Sequence, residues 1–159
     1  MGWSYERGAD KAKVIAEFIA PYGDSKTIAH CVRGNSVYAV REVIKAGAEP
    51  ERYIVIALLG REKGFGWGSK TMSEHEHPYY YACPVSYLDM CTAPGNEHSA
   101  KWREKVRARA ALRKVAVGDK VNLANGWLVE ITGLKPLRCS HEGRNYKLHA
   151  RLIMSKEAA

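Results

Sequence analysis

Apolar residues in the first third of the chain change from helical to alternating spacing. Val14, Ile15, Phe18 and Ile19 share one helical face, Asp10 can cap that helix, and Pro21 with Gly23 ends it near Ala20. Residues 26–32 and 37–44 then read as strands joined by Arg33-Gly34-Asn35-Ser36, where Gly34 and Asn35 tolerate the positive φ of a tight hairpin. Val37, Val40 and Ile44 also match helical spacing, so a short helix is the alternative for the second of these. After a turn marked by Gly47, Glu49 and Pro50, residues 52–60 form the most apolar run. That run is β-branched at its start and predicts a central strand. The expected unit is a small antiparallel sheet with the helix on one face.

Residues 64–77 break this regularity. Gly64, Gly66 and Gly68 alternate with Phe65, Trp67 and Ser69, predicting an irregular stretch whose backbone bends while the aromatics point to one side. The stretch lacks the G-K-[ST] ending of a phosphate loop. Pro84 is placed to open a short helix with Val85, Leu88 and Cys91 on one side, and Pro94-Gly95 ends it. Asn96 can cap a further helix over 97–114, with Glu97 at its positive end. On that helix Trp102, Val106 and Ala110 share an arc. Arg103, Arg107 and Lys114 cluster beside it, and Arg109 and Arg113 lie close enough to Trp102 for their stems to cover it. So narrow an apolar arc predicts a largely exposed helix.

From Val115 the spacing is that of strands. Residues 115–124, 126–134 and 145–154 are three strand candidates, with turns at Gly118-Asp119, Asn125-Gly126 and Glu142-Gly143. Val115-x-Val117-Gly118-Asp119-x-Val121 followed by a tryptophan strand looks like the entry to an SH3-like β subdomain. At about 40 residues it is too small to stand alone easily and is expected to pack on the rest. The expected class is therefore α+β. Residues 1–114 form an antiparallel sheet with packed helices, residues 115–154 a small β subdomain, and residues 155–159 a frayed tail.

Composition narrows the classes of function. No apolar run approaches the roughly 18 residues of a membrane span. Residues 1–13 lack the apolar core of a signal peptide, and Glu6 stands where a myristoylation site requires Ser or Thr. These features predict a cytoplasmic protein that does not engage a membrane. Cys31, Cys83, Cys91 and Cys139 form no C-x-x-C pair and read as reduced, mostly buried thiols. The net charge of +8 is unevenly spread: residues 71–100 carry four acids and no Lys or Arg, whereas residues 101–120 carry eight bases and two acids. Such asymmetry points to an anionic partner, or to the two segments facing each other.

The candidate chemistry follows from these segments. Phe65, Trp67 and the tyrosines Tyr79, Tyr80 and Tyr81 can stack bases or ligand rings, although such clusters more often serve a core. Lys101, Arg103, Lys105, Arg107, Arg109, Arg113 and Lys114, against the single acid Glu104, exceed what solubility requires and predict phosphate contact. His75 and His77 would face one side of an extended segment, with Glu74, Glu76, Cys83 or His98 to complete a metal site. That spacing matches no zinc pattern, and an exposed polar loop is the simpler reading. Cys31 beside His30, and Cys139 near His141, lack any oxyanion-hole motif. Lys70, Glu74 and Asp89 are the remaining acid–base set, whose simpler reading is surface charge. The residues thus predict no catalytic centre, no metal and no cofactor.

Gly66-Trp67-Gly68-Ser69-Lys70-Thr71-Met72, Cys83-Pro84, Tyr87-Leu88-Asp89 and Trp102-Arg103 with Arg107 resemble the core of a family of small proteins encoded by phages, prophages and plasmids. The resemblance covers roughly residues 50–110. Thr71 and Ser73 stand where the family carries acids, leaving Glu74. The resemblance implies a mobile genetic element and a bacterial host cytoplasm, and it brings no established activity. The expected function is that of a non-catalytic accessory protein binding nucleic acid or a nucleic-acid-handling complex. Arg103, Arg107, Arg109, Arg113, Lys114, Phe65, Trp67, Lys70, Tyr79 and Tyr80 are its candidate contacts. The alternatives are a host-defence inhibitor of the anti-CRISPR or anti-restriction type that binds a protein, and a small enzyme using Lys70, Glu74, His75 and His77.

Overall fold

The computed structural model describes residues 2–112 and 115–157 and shows an α+β fold. Its contacts divide the chain into two compact units, Met1–Glu104 and Lys105–Ala159. The division falls inside a helix. The border expected after Lys114 lies outside the described residues.

The first unit is an antiparallel five-stranded sheet built from β1 (Ser4–Tyr5), β2 (Ser25–Arg33), β3 (Ser36–Val43), β4 (Glu51–Glu62) and β5 (Gly66–Ser73), in the order β1-β5-β4-β3-β2. Helix α1 (Lys11–Ile19) starts at Asp10, whose Oδ1 accepts the Lys13 N–H at 2.7 Å. Ala9, Val14, Val37, Ala57 and Leu59 form a core cluster, with Ile15, Phe18 and Trp67 packed against it. The ambiguous segment is a strand. Val37, Tyr38, Ala39 and Val40 are all buried, because β3 is paired on both edges and covered on both faces. Burial on both faces removes the alternation that marks a half-buried strand.

The glycine-rich stretch corrects an expectation. It is the regular strand β5, in continuous register with β4 from Glu62↔Gly66 to Val55↔Ser73. Its glycines serve close approach: a Cβ on Gly66 would meet the Glu6 carbonyl at 2.5 Å, and one on Gly68 would collide with the Ser4 carbonyl and with Tyr5. The alternating glycines thus admit β1 and its flanks against β5.

A 3-10 turn (Glu74–Glu76), α2 (Val85–Met90) and α3 (Glu97–Leu112) follow. Pro84 stands at the cap of α2, one position before its helical residues. Asn96 caps α3, its Oδ1 accepting the Ser99 N–H at 2.7 Å.

The second unit contains the end of α3 and the strands β6 (Lys120–Leu123), β7 (Leu128–Leu134), β8 (Leu137–His141), β9 (Arg144–Lys147) and β10 (Ile153–Lys156). They form a second antiparallel sheet in the order β10-β6-β7-β8-β9. Val121, Leu123, Val129, Ile131, Cys139, Leu148 and Ile153 make its core. The segment expected as one strand over 145–154 is two, separated by a 3-10 turn at Ala150–Leu152. The expected frayed tail is corrected in part: Ser155 and Lys156 pair with Asn122 and Val121.

Candidate functional site

Helix α3 carries the densest positive charge, and the first fact about it is a subtraction. Arg103 is buried. Its Nε donates to Glu74 Oε2 at 2.8 Å, its Nη2 to Glu74 Oε1 at 2.6 Å, and its Nη1 to the Thr92 carbonyl at 2.7 Å. Glu74 is 0% exposed. A carboxylate so placed would be costly to bury alone, and the bidentate fork of an arginine is the geometry that compensates it. The Glu74 hydrogen bonds, opposed by burial, hold the Arg103 guanidinium above its already high ordinary range. Thr92 is itself fixed, its N–H and Oγ1 both donating to the Arg52 carbonyl at 3.0 Å. Arg103 therefore ties the 3-10 turn, the segment after α2 and α3 together within the first unit. It is withdrawn from the set expected to contact phosphate. Trp102 beside it is also buried, its indole N–H donating to the Tyr80 carbonyl at 2.9 Å.

The same contacts bear on the histidine-rich alternative. Glu74 has both oxygens engaged by Arg103 and is not placed to exchange protons with a substrate. Glu76 Oε2 accepts the Ser73 N–H at 2.7 Å. His75 lies against Tyr53, ring centroids 5.2 Å apart, while the His77 ring is 6.5 Å from that of His98. His77 has left-handed backbone, so the segment is a turn and the shared face expected of an extended segment is lost. Among the described residues no three His, Cys, Asp or Glu side chains gather as a metal site. Burial pushes the Cys83 and Cys139 thiols up, which makes them less nucleophilic. Lys70 is half-buried on β5, in register with Leu58 of β4.

The aromatic candidates separate. Trp67 packs on the first core, with Lys11 Nζ 5.6 Å above its ring, so one face is occupied. Phe65 and Tyr80 are partly exposed and Tyr79 is 84% exposed. Among the described residues no ring contact joins Phe65 to either tyrosine. Lys105, Arg107 and Arg109 are exposed on the part of α3 that belongs to the second unit. Arg113 and Lys114 lie outside the described residues.

The second unit holds an aromatic group that the sequence reading passed over. Trp127 stacks on His141 with centroids 4.2 Å apart and planes 9° from parallel, and Tyr146 meets it at 5.6 Å. The chain reaches this point through the Asn125-Gly126 turn, where Asn125 Oδ1 accepts the Trp127 N–H and Gly126 supplies a φ of 89°. His141 Nδ1 lies 3.2 Å from the Leu128 carbonyl, an arrangement that orients the ring when Nδ1 carries the proton. Trp127 remains 38% exposed. The signal was a tryptophan directly after a hairpin turn, but its histidine partner comes from β8, a strand the spacing did not announce.

No family model, curated protein or solved structure matches this chain. Among the described residues no helix is long and apolar enough to cross a membrane.

Proposed function

We propose that the protein is a non-catalytic accessory protein of a phage or related mobile element, acting in the host cytoplasm by binding nucleic acid or a nucleic-acid-handling complex. One observation carries this reading: exposed Lys105, Arg107 and Arg109 belong to the same compact unit as the half-exposed Trp127–His141 stack. Cations that grip phosphates and rings that accept bases are the two elements of sequence-tolerant nucleic-acid binding. The order β10-β6-β7-β8-β9, with a 3-10 turn before the last strand, supports reading the second sheet as SH3-like.

A host-defence inhibitor that binds a protein is the second reading. It is favoured by the exposed apolar residues Val117, Leu128, Leu134 and Met154 of the second unit. Fluorescence anisotropy with labelled single- and double-stranded oligonucleotides at two salt concentrations separates the two. Binding that weakens with salt is expected. Absence of binding at low salt would overturn the nucleic-acid reading and favour the protein partner.

A further inference from the structure

Helix α1 is nine residues long and β4 twelve, which correspond to about 14 Å of helix and about 40 Å of strand. The helix therefore covers only part of the sheet face it packs on. Under it lie Val37, Ala57 and Leu59. Alternation and register place Thr71 beside Ala57 on the same face, and Arg41, Tyr53, Val55 and Ser73 further along the strands. There the face opens into a concavity of about 440 Å³, lined also by Phe18, Tyr22 and Glu76. The chain becomes polar where the helix stops covering it.

Arg41 supplies the unusual chemistry of this cleft. Its Nη2 donates to the Phe18 carbonyl at 2.8 Å, and its guanidinium carbon sits 5.7 Å from the Phe18 ring centroid. Among the described residues these are its contacts, and no carboxylate pairs with it. Its Nε is buried without an acceptor, and so is Oγ1 of Thr27, its cross-strand neighbour. Buried polar groups are seldom left unmet, and a guanidinium with no carboxylate partner of its own is suited to receive one. Two acids nevertheless share the cleft. Glu76 has one oxygen on the Ser73 N–H, and Glu17 lies 4.0 Å from Lys13. Glu17 has Lys13 beside it, but among the described residues no cation pairs with Glu76, so the cleft offers a carboxylate as well as a guanidinium, which favours a ligand carrying both charges over a simple anion.

We propose that this cleft binds a small zwitterion of the free amino acid class. The carboxylate lies on Arg41, the ammonium lies toward Glu17 and Glu76, and an apolar side chain rests on Phe18 and Tyr53. The volume falls within the range of small-molecule sites. The proposal does not depend on nucleic-acid binding.

The test is an amide-resonance titration of the ¹⁵N-labelled full chain with L-phenylalanine, L-leucine, L-methionine and L-tyrosine, as far as solubility allows, up to about 10 mM. At least one should shift the amides around Arg41, Tyr53 and Ser73. For the phenylalanine skeleton, 3-phenylpropionate and 2-phenylethylamine should bind at least about tenfold more weakly than the zwitterion. Arg41→Gln and Arg41→Lys should both lose the response, with spectra elsewhere unchanged showing that they fold. Absence of shifts with all four amino acids would overturn the proposal. So would equal binding of 3-phenylpropionate, which would mean a plain anion site, or retained binding in a folded Arg41→Gln variant.

Discussion

The stretches of helix α3 on either side of the unit border carry the same kind of charge in different surroundings. Toward the first unit, Trp102 and Arg103 are buried, and the arginine is consumed by Glu74 and the Thr92 carbonyl. Toward the second, Lys105, Arg107 and Arg109 stand exposed. Charge density along the sequence does not separate these roles. What separates them is burial: Arg103 is enclosed with an acid, and Lys105, Arg107 and Arg109 face solvent. The acidic segment 71–100 supplies the buried acid that engages Arg103, Glu74.

The strongest way to break this comparison is to remove one partner of the buried pair. Arg103→Met or Glu74→Gln should each destabilise the fold by about 3–5 kcal/mol in urea unfolding, because each leaves the other group buried and unpaired. The double variant Glu74→Met/Arg103→Met should recover most of that loss. A loss under about 1 kcal/mol for the single variants would place Arg103 among the exposed cations after all.

The two tryptophans sharpen the same contrast. Trp102→Ala should cost about 3–5 kcal/mol, since a fully buried indole and its bond to the Tyr80 carbonyl are both lost. Trp127→Ala should cost about 0.5–1.5 kcal/mol through its ring contacts while weakening oligonucleotide binding. Thermal and urea unfolding of the two variants, with anisotropy on the second, would reveal any exchange of these roles.

Acid acts on another architectural ion group, Glu42 with Arg52 and Lys26. Hydrogen bonds from Arg52 and Lys26 hold the Glu42 carboxyl below its ordinary value of 4.5. The folded state therefore binds that proton less readily than the unfolded chain. The stabilisation is full above the ordinary carboxylate range and is lost as pH falls through the depressed value. Melting temperature should drop as pH falls below about 4.5 in the natural protein, and Glu42→Gln should flatten that dependence. The smallest effect belongs to the outer end of α3, where Arg109→Gln should change stability by less than about 0.5 kcal/mol.

Much of the first unit was legible because its signals are local. Asp10 caps α1, Gly34 carries the positive φ of the first hairpin, and Asn96 caps α3, each a short-range feature that sequence displays directly. The strand β5 was not legible. Gly66 and Gly68 read as bends, yet they are there to admit the backbone of residues 4–8, a contact made across roughly sixty positions of chain. Arg103 was misread for a similar reason, its partner being 29 residues away. The Trp127–His141 stack required β8, which begins just after Pro136, a residue that argues against strand. Arg41 was unremarkable in sequence. Its place in the cleft depends on how far α1 reaches over the sheet, and no single segment reports that.

The proposed division of α3 into an architectural and a phosphate-contacting stretch is tested most directly by the salt dependence of oligonucleotide binding in the triple variant Lys105→Gln/Arg107→Gln/Arg109→Gln. Each lost phosphate contact should reduce the slope of log affinity against log salt by about 0.9 on duplex DNA, or about 0.7 on a single strand. A slope shallower by roughly one to three units is predicted, with urea unfolding close to that of the natural protein. A slope unchanged from that of the natural protein would contradict the account, because the exposed half of the helix would then make no phosphate contact.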